Sequence, residues 1–112
     1  MEDEIPYKQV KVSDEFKINR TQIYDYTLVT FGFFQAERYL KLIEKNLLML
    51  HKFYLAYPEC RHLATKSRMY RNIILDAHLI IYRITDKRIE VLDIIHSASS
   101  IRKIRNTRKI RL

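Results

Sequence analysis

The 112-residue chain has no tryptophan, one glycine, two prolines and one cysteine. With a single glycine there is no material for a phosphate-cradling loop. Neither a GxGxxG nor a Walker-type stretch occurs, which argues against nucleotide-dependent chemistry. The lone Cys60 cannot form an internal disulfide, and Cys60-Arg61-His62 lacks the spaced Cys/His quartet of a zinc site. His51, His62, His78 and His96 form no HExxH or comparable arrangement, so neither metal nor cofactor is expected. Long hydrophobic runs are missing as well. Leu47 to Leu50 and Leu79 to Tyr82 fall far short of the roughly 20 residues of a membrane span, and Met-Glu-Asp-Glu is the opposite of a basic signal-peptide start. A soluble, unexported protein of the reducing cytoplasm is expected, with no membrane partner and no small-molecule substrate.

What is present is a globular balance, 47% hydrophobic and 30% charged in 13.6 kDa, which predicts a single domain over residues 1–112. The formal charge of +8 is unevenly placed. Residues 1–57 hold eight Lys/Arg and eight Asp/Glu, whereas residues 58–112 hold 13 basic and five acidic ones. The basic tail, residues 101–112, carries Arg102, Lys103, Arg105, Arg108, Lys109 and Arg111 and no acid. Such a segment attracts polyanions or an acidic protein, unless it is merely a solvated, frayed end.

Along the chain, Tyr7 to Val12 alternates as a half-buried strand. Ser13 offers an N-cap hydroxyl, with Asp14 and Glu15 in the first turn of a helix that runs to about Phe31. Phe16, Ile23, Thr27 and Phe31, with Tyr24 and Leu28 beside them, form its apolar face, and Gly32 stands where a left-handed C-cap is wanted. From Phe34, the residues Ala36, Leu40, Ile43, Leu47, Leu50, Tyr54 and Tyr57 recur at steps of four and three, one helical stripe ended by Pro58. Tyr39, Leu42, Met49 and Phe53 widen that stripe. After a basic irregular stretch, 59–68, come three runs rich in Ile, Leu, Val and Tyr: Met69 to Leu75, Ala77 to Ile84 and Arg88 to His96. The turns at Asp76 and Thr85-Asp86-Lys87 are too short for crossover helices, so the three strands form an antiparallel meander. The fold class is α+β, ordered β-α-α-β-β-β, a helical hairpin on a mainly antiparallel four-stranded sheet. Ile101 and Ile104 let the tail begin as a helix capped by Ser99 or Ser100. Tyr82 shares a face with Ile80 and Ile84 and reads as core. Arg71 and Arg83 lie within strands, as solvent-facing charges or as site residues, and His96 closes the last strand.

Several of these segments resemble the RelE/ParE toxin superfamily, over roughly residues 7–100. The stretches Ile23-Tyr24-Asp25-Tyr26-Thr27, Phe31-Gly32 and Gln35 to Leu40 are similar to its helical hairpin. Pro58, Cys60-Arg61, Tyr70-Arg71, His78 to Ile84 (HLIIYRI) and Ile89 to His96 are similar to its sheet. The combination lies nearer the ParE-like, plasmid-stabilisation branch. The resemblance implies the toxin of a type II toxin–antitoxin pair that arrests growth and is neutralised by a cognate antitoxin. It implies either inhibition of DNA gyrase by binding or, in the RelE-like manner, cleavage of mRNA on the ribosome. For the first, Arg71, Arg83, His96, Arg102, Lys103 and Arg105 are the candidate target- or antitoxin-binding residues. For the second, Arg71, Arg83 and His96 are the candidate catalytic set, since cleavage needs a proton acceptor, an acid and a cation for the phosphorane charge. Two departures stand out. His78-Leu79 occupies the place of a Tyr-Arg pair in RelE-like enzymes, and Ser97 to Ser100 stands where ParE-like chains place arginine. A third reading is a non-toxic basic nucleic-acid-binding protein, although no helix-turn-helix, zinc finger or aromatic RNA-binding signature occurs.

Overall fold

A computed structural model describes residues 5–112. Strand β1 (Gln9–Val12) leads into α1 (Asp14–Phe31) and α2 (Phe33–Phe53), followed by β2 (Tyr70–Ile74), β3 (His78–Ile84), β4 (Arg88–His96) and a short α3 (Ile101–Asn106) that continues as a 3-10 turn, Thr107–Lys109. The expected element order holds. The sheet runs β1-β4-β3-β2, with β2-β3-β4 an antiparallel meander and β1 added parallel to β4, Val10 beside Ile89 and Val12 beside Val91.

Local chemistry explains most boundaries. The Ser13 hydroxyl accepts from the Phe16 amide at 2.9 Å and donates to the Leu92 carbonyl, so one side chain starts α1 and fastens it to β4. Leu92 is the extra residue of a bulge, since Ile81 pairs with Asp93 while Tyr82 pairs with Val91. Between the helices, Gly32 adopts φ 95, ψ 173. This is a positive-φ residue, as expected, but in the mirror-extended region rather than the left-handed helical one, and glycine alone enters it without strain.

The second helix ends at Phe53, four residues short of the expected end at Tyr57. Carbonyls beyond it are taken by the sheet. The buried Tyr82 hydroxyl donates to Tyr54 O at 2.6 Å, and Arg71 Nη1 donates to Leu55 O at 3.2 Å and Tyr57 O at 2.9 Å. Tyr54 and Tyr57 thus leave the helix yet still pack on the core. The stripe residues Ala36, Ile43 and Leu50 are buried, Ile43 and Leu50 within the core between hairpin and sheet, but the flanking Leu42, Met49 and Phe53 are exposed. At the far end of α1, Leu28 and Phe31 are exposed too, contrary to the expected apolar face, because every residue from Leu28 to Gln35 lies outside the packed body.

The sheet has two cores. Phe16, Ile43, Leu50, Ile80, Tyr82, Ile89 and Val91 meet on the hairpin side. On the opposite side Cys60, Leu63, Ile81, Leu92, Ile95 and Ile104 form a second cluster, joined by Ile110 and Leu112. The face of the sheet turned away from the hairpin is therefore not open. The segment around Cys60 and the tail cover that face, and Ser100 caps α3 by accepting from the Lys103 amide at 3.2 Å.

Arg83 fastens this second layer. Only 9% exposed, it donates Nε and Nη2 to Glu90 Oε1 at 2.9 and 2.7 Å, then Nη1 to Arg108 O and Nη2 to Ile110 O, both at 3.2 Å. Burial pushes the Glu90 carboxyl up, but the hydrogen bonds and charges of Arg83 and Arg88 outweigh it and hold the group below its ordinary value.

Two substitutions test this account. Gly32→Ala finds open space around a new Cβ but a forbidden backbone, so it should cost about 1–2 kcal/mol, read as a fall in thermal midpoint. Arg83→Ala should cost about 3 kcal/mol in chemical denaturation, because it strips a buried pair of one member. It should also make the arginines of 102–111 the first sites of limited tryptic cleavage. A stable Arg83→Ala chain with a protected tail would remove the clasp.

Candidate functional site

The structure separates the six residues singled out from the sequence into three places. Arg83 is on the tail side of the sheet and inside it. Arg71 is on the hairpin side, in register with Tyr82, where its guanidinium also donates to Arg68 O at 2.8 Å. His96 is in register with His78, four residues further along β3, roughly 13 Å away at the usual strand rise. Arg71, Arg83 and His96 are thus not gathered around one point. Both arginines spend their donors within the fold.

The other four converge. His96, exposed at the end of β4, and Lys103 from α3 line one cavity of about 580 Å³, with Arg102 and Arg105 exposed on the same short helix. The cavity wall is apolar on the helix side, from Ile23, Tyr26 and Phe31 of α1 and Tyr39 of α2, and polar where Gln35, Asp76 and His78 enter. Volume and lining are in the range of ligand or side-chain pockets. Lys103 also borders an adjoining hollow lined by Asp93, Arg102 and Asn106.

His78 is the site residue that reading the sequence did not select. Its ring meets that of His96 edge to face at 5.6 Å, and Tyr39 Oη lies 2.7 Å from His78 Nδ1. With its proton on Nε2, the neutral imidazole accepts a hydrogen bond there from the Tyr39 hydroxyl. The Ala98 amide donates to His96 Nδ1 at 3.0 Å, fixing that ring at the start of the Ser97–Ser100 loop. Burial and then the charge of His96 lower the His78 pKa below its ordinary value, and burial raises that of Tyr39. The pairing depends on the Leu92 bulge. Without it His78 would face Ile95, so the only signal in the sequence is the broken alternation of Val91-Leu92-Asp93.

Other reactive side chains serve the fold. The buried Asp93 accepts from Asn19 Nδ2 at 2.6 Å and from its neighbour's amide, Ile94, at 2.8 Å. Burial pushes the Cys60 thiol up to about 11, which leaves it a protonated core group. Among the described residues no three His, Cys, Asp or Glu side chains gather as metal ligands, and no helix is long and apolar enough to cross a membrane.

His78 carries a pH signature. Because the folded-state pKa of His78 is depressed, the unfolded chain binds more protons as pH falls below about 6.5, and stability falls with it. Thermal midpoints should drop between pH 7.5 and 5 in the native protein and drop less in His78→Gln. Equal slopes would show that His78 does not titrate as described.

A solved structure of the chromosomal ParDE toxin–antitoxin system from P. aeruginosa includes a similar chain, 17% identical, with a TM-score of 0.66 over 80% of this chain and 96% of that one. At that identity the likeness is one of fold. No curated protein matches the sequence. The family described as ParE toxin of type II toxin–antitoxin system, parDE, matches residues 10–101, well over half of the chain, and the chain belongs to that family.

Proposed function

We propose that this protein is a cytoplasmic toxin that acts by binding rather than by turnover, inhibiting DNA gyrase until a cognate antitoxin neutralises it. One observation carries the reading. The two strand arginines that could serve a phosphoryl-transfer site are committed to Glu90 and to main-chain carbonyls, while Arg102, Lys103 and Arg105 present charge outward near the exposed His96.

A binding toxin needs a rigid surface of defined charge, and the packed tail supplies one. Ile104 and Thr107 face the sheet, so Arg102, Lys103 and Arg105 are pinned on the outer side of α3 instead of waving on a loose arm. Holding cations in place before contact lowers the ordering cost of association, and their shared sign raises the encounter rate with an acidic partner. The cavity beside His96 adds an apolar anchor point of the kind that concentrates binding energy. Growth arrest follows from target occupancy, and an antitoxin relieves it by covering the same surface.

The test is a supercoiling assay with purified gyrase. Excess toxin should block supercoiling, and Arg102→Glu with Lys103→Glu and Arg105→Glu should reduce the effect at least about tenfold while leaving the thermal midpoint nearly unchanged, since all three side chains are exposed. Unimpaired supercoiling, with new mRNA 5′ ends after induction that a His96→Ala change abolishes, would replace this reading with ribosome-dependent cleavage.

A further inference from the structure

Hydrogen bonding fixes where the two cavity imidazoles carry their protons. The Ala98 amide can only donate, so His96 Nδ1, 3.0 Å away, offers a lone pair and the proton of that ring sits on Nε2. Tyr39 Oη takes a hydrogen bond from the Ala77 amide, which turns its own proton toward His78 Nδ1 at 2.7 Å and leaves the proton of the second ring on Nε2 as well. Two Nε2–H donors result, on rings that meet edge to face at 5.6 Å. Among the described residues neither donor has an acceptor, yet no buried side-chain nitrogen or oxygen lacks a partner. Nε2 of the half-buried His78 is therefore open to solvent, in the cavity that His78 and His96 line. Unused donors at such a place call for an acceptor from outside the chain.

The rest of the lining narrows the chemistry of that acceptor. Lys103 is the cation of the wall, and Asp76, exposed at the turn before β3, is its acid. An ammonium group would meet Lys103 and two N–H donors with only Asp76 to hold it. A carboxylate has two oxygens, one for each Nε2–H, and gains the charge of Lys103. Its approach is favoured by Arg102 and Arg105, exposed on the same helix as Lys103. Since Asp76 offsets Lys103, the lining has no net formal charge, and a single acid suits it better than the repeated charge of a nucleic-acid backbone. Beside the donors, Ile23, Tyr26 and Phe31 form an apolar wall, and about 580 Å³ leaves room for a large side chain next to the carboxylate.

We infer that this cavity takes an acidic side chain of a partner polypeptide, its carboxylate held by the Nε2–H groups of His78 and His96 beside Lys103, with a neighbouring apolar side chain against Ile23, Tyr26 and Phe31. The inference rests on the reading of the protein as a toxin that acts by binding, and it adds the chemistry of the partner at one anchor point.

Nuclear magnetic resonance titration of the full chain tests it, with the blocked dipeptide acetyl-Phe-Glu-amide as probe and acetyl-Phe-Gln-amide as its neutral counterpart. Long-range nitrogen–proton spectra should show both rings protonated at Nε2. The acid should bind about tenfold more tightly than the amide and shift the signals of His78, His96 and Lys103. His96→Phe, which keeps a ring at an exposed position, and Lys103→Met should each remove most of that preference and leave the remaining signals in place. Neither gyrase nor antitoxin enters the measurement. An inactive toxin whose cavity prefers the acid would therefore sink the gyrase reading alone, and an active toxin without the preference would sink this inference alone. Equal binding of the two dipeptides overturns it, as does no binding of either up to about 10 mM. Tighter binding of phenyl phosphate, a ring protonated at Nδ1, or a preference that survives both substitutions does the same.

Discussion

Strand β4 is buried on both faces, and most of the architecture answers to that constraint. From Ile89 to Ile95 every residue is buried, and a backbone so enclosed must have each hydrogen bond and each side chain satisfied within the protein. The helical hairpin covers one side. On the other, Cys60, Leu63 and the tail residues Ile104, Ile110 and Leu112 close over Ile81, Leu92 and Ile95. Glu90 would be an intolerable charge in such a strand without Arg83 and Arg88, each within 2.9 Å of a carboxylate oxygen. The bulge at Leu92 would leave a carbonyl unpaired without Ser13. Each polar group in the strand thus recruits a particular partner, and those partners set where α1 and the tail must lie.

The same constraint separates what could be read from the sequence from what could not. Helix starts at Ser13 and Ser100, the hairpin turn at Gly32 and the bounds of β4 are local events, written in hydroxyls, a glycine and a hydrophobic run. The burial of the tail is not local. Its six cations suggest a solvated arm, whereas Ile104, Ile110 and Leu112 are too few and too widely spaced to announce a packed surface. A hint existed in β4 itself, where Val91-Leu92 and Ile94-Ile95 break the alternation of a one-sided strand and read instead as a strand covered on both sides. Arg83 was visible as a strand cation, but its partners come from a residue opposite it on β4 and from carbonyls 25 and 27 positions away. Side-chain chemistry named the residue, and only tertiary structure could assign it to holding the tail. For the candidate site, His96 and the α3 cations were legible from charge and position. His78 was not, because a one-residue bulge determines which residue of β4 it meets.

These facts bear on how one small fold accommodates recognition. With Arg71 and Arg83 committed to carbonyls and carboxylates, the sheet keeps its cations for cohesion. In the proposed reading, recognition falls instead to the strand ends, where His78, His96 and Tyr39 meet the wall of α1, and to the outer side of a helix whose inner side is core. A cation on a packed helix differs from one on a loose tail in a specific way: its position is set before a partner arrives, so less conformational entropy is lost on binding. The 3-10 turn after α3 prolongs this effect, since Thr107 is buried and holds Ile104 O at 2.6 Å, which keeps Arg105 and Arg108 on a defined surface.

At about 1.5 Å per residue the 21 residues of α2 reach roughly 31 Å, close to the roughly 30 Å of the nine residues of β4, so the two match in length. Part of the hairpin nonetheless projects beyond the packed body. The projecting part is Leu28 to Gln35, and its composition is the unexpected element: a polar tip would meet the demands of folding equally well. Phe33 and Phe34 make no contribution to either core. Phe31 and Gln35 of that projecting part also line the cavity beside His96 and Lys103, so the hairpin end and the cationic end share one wall.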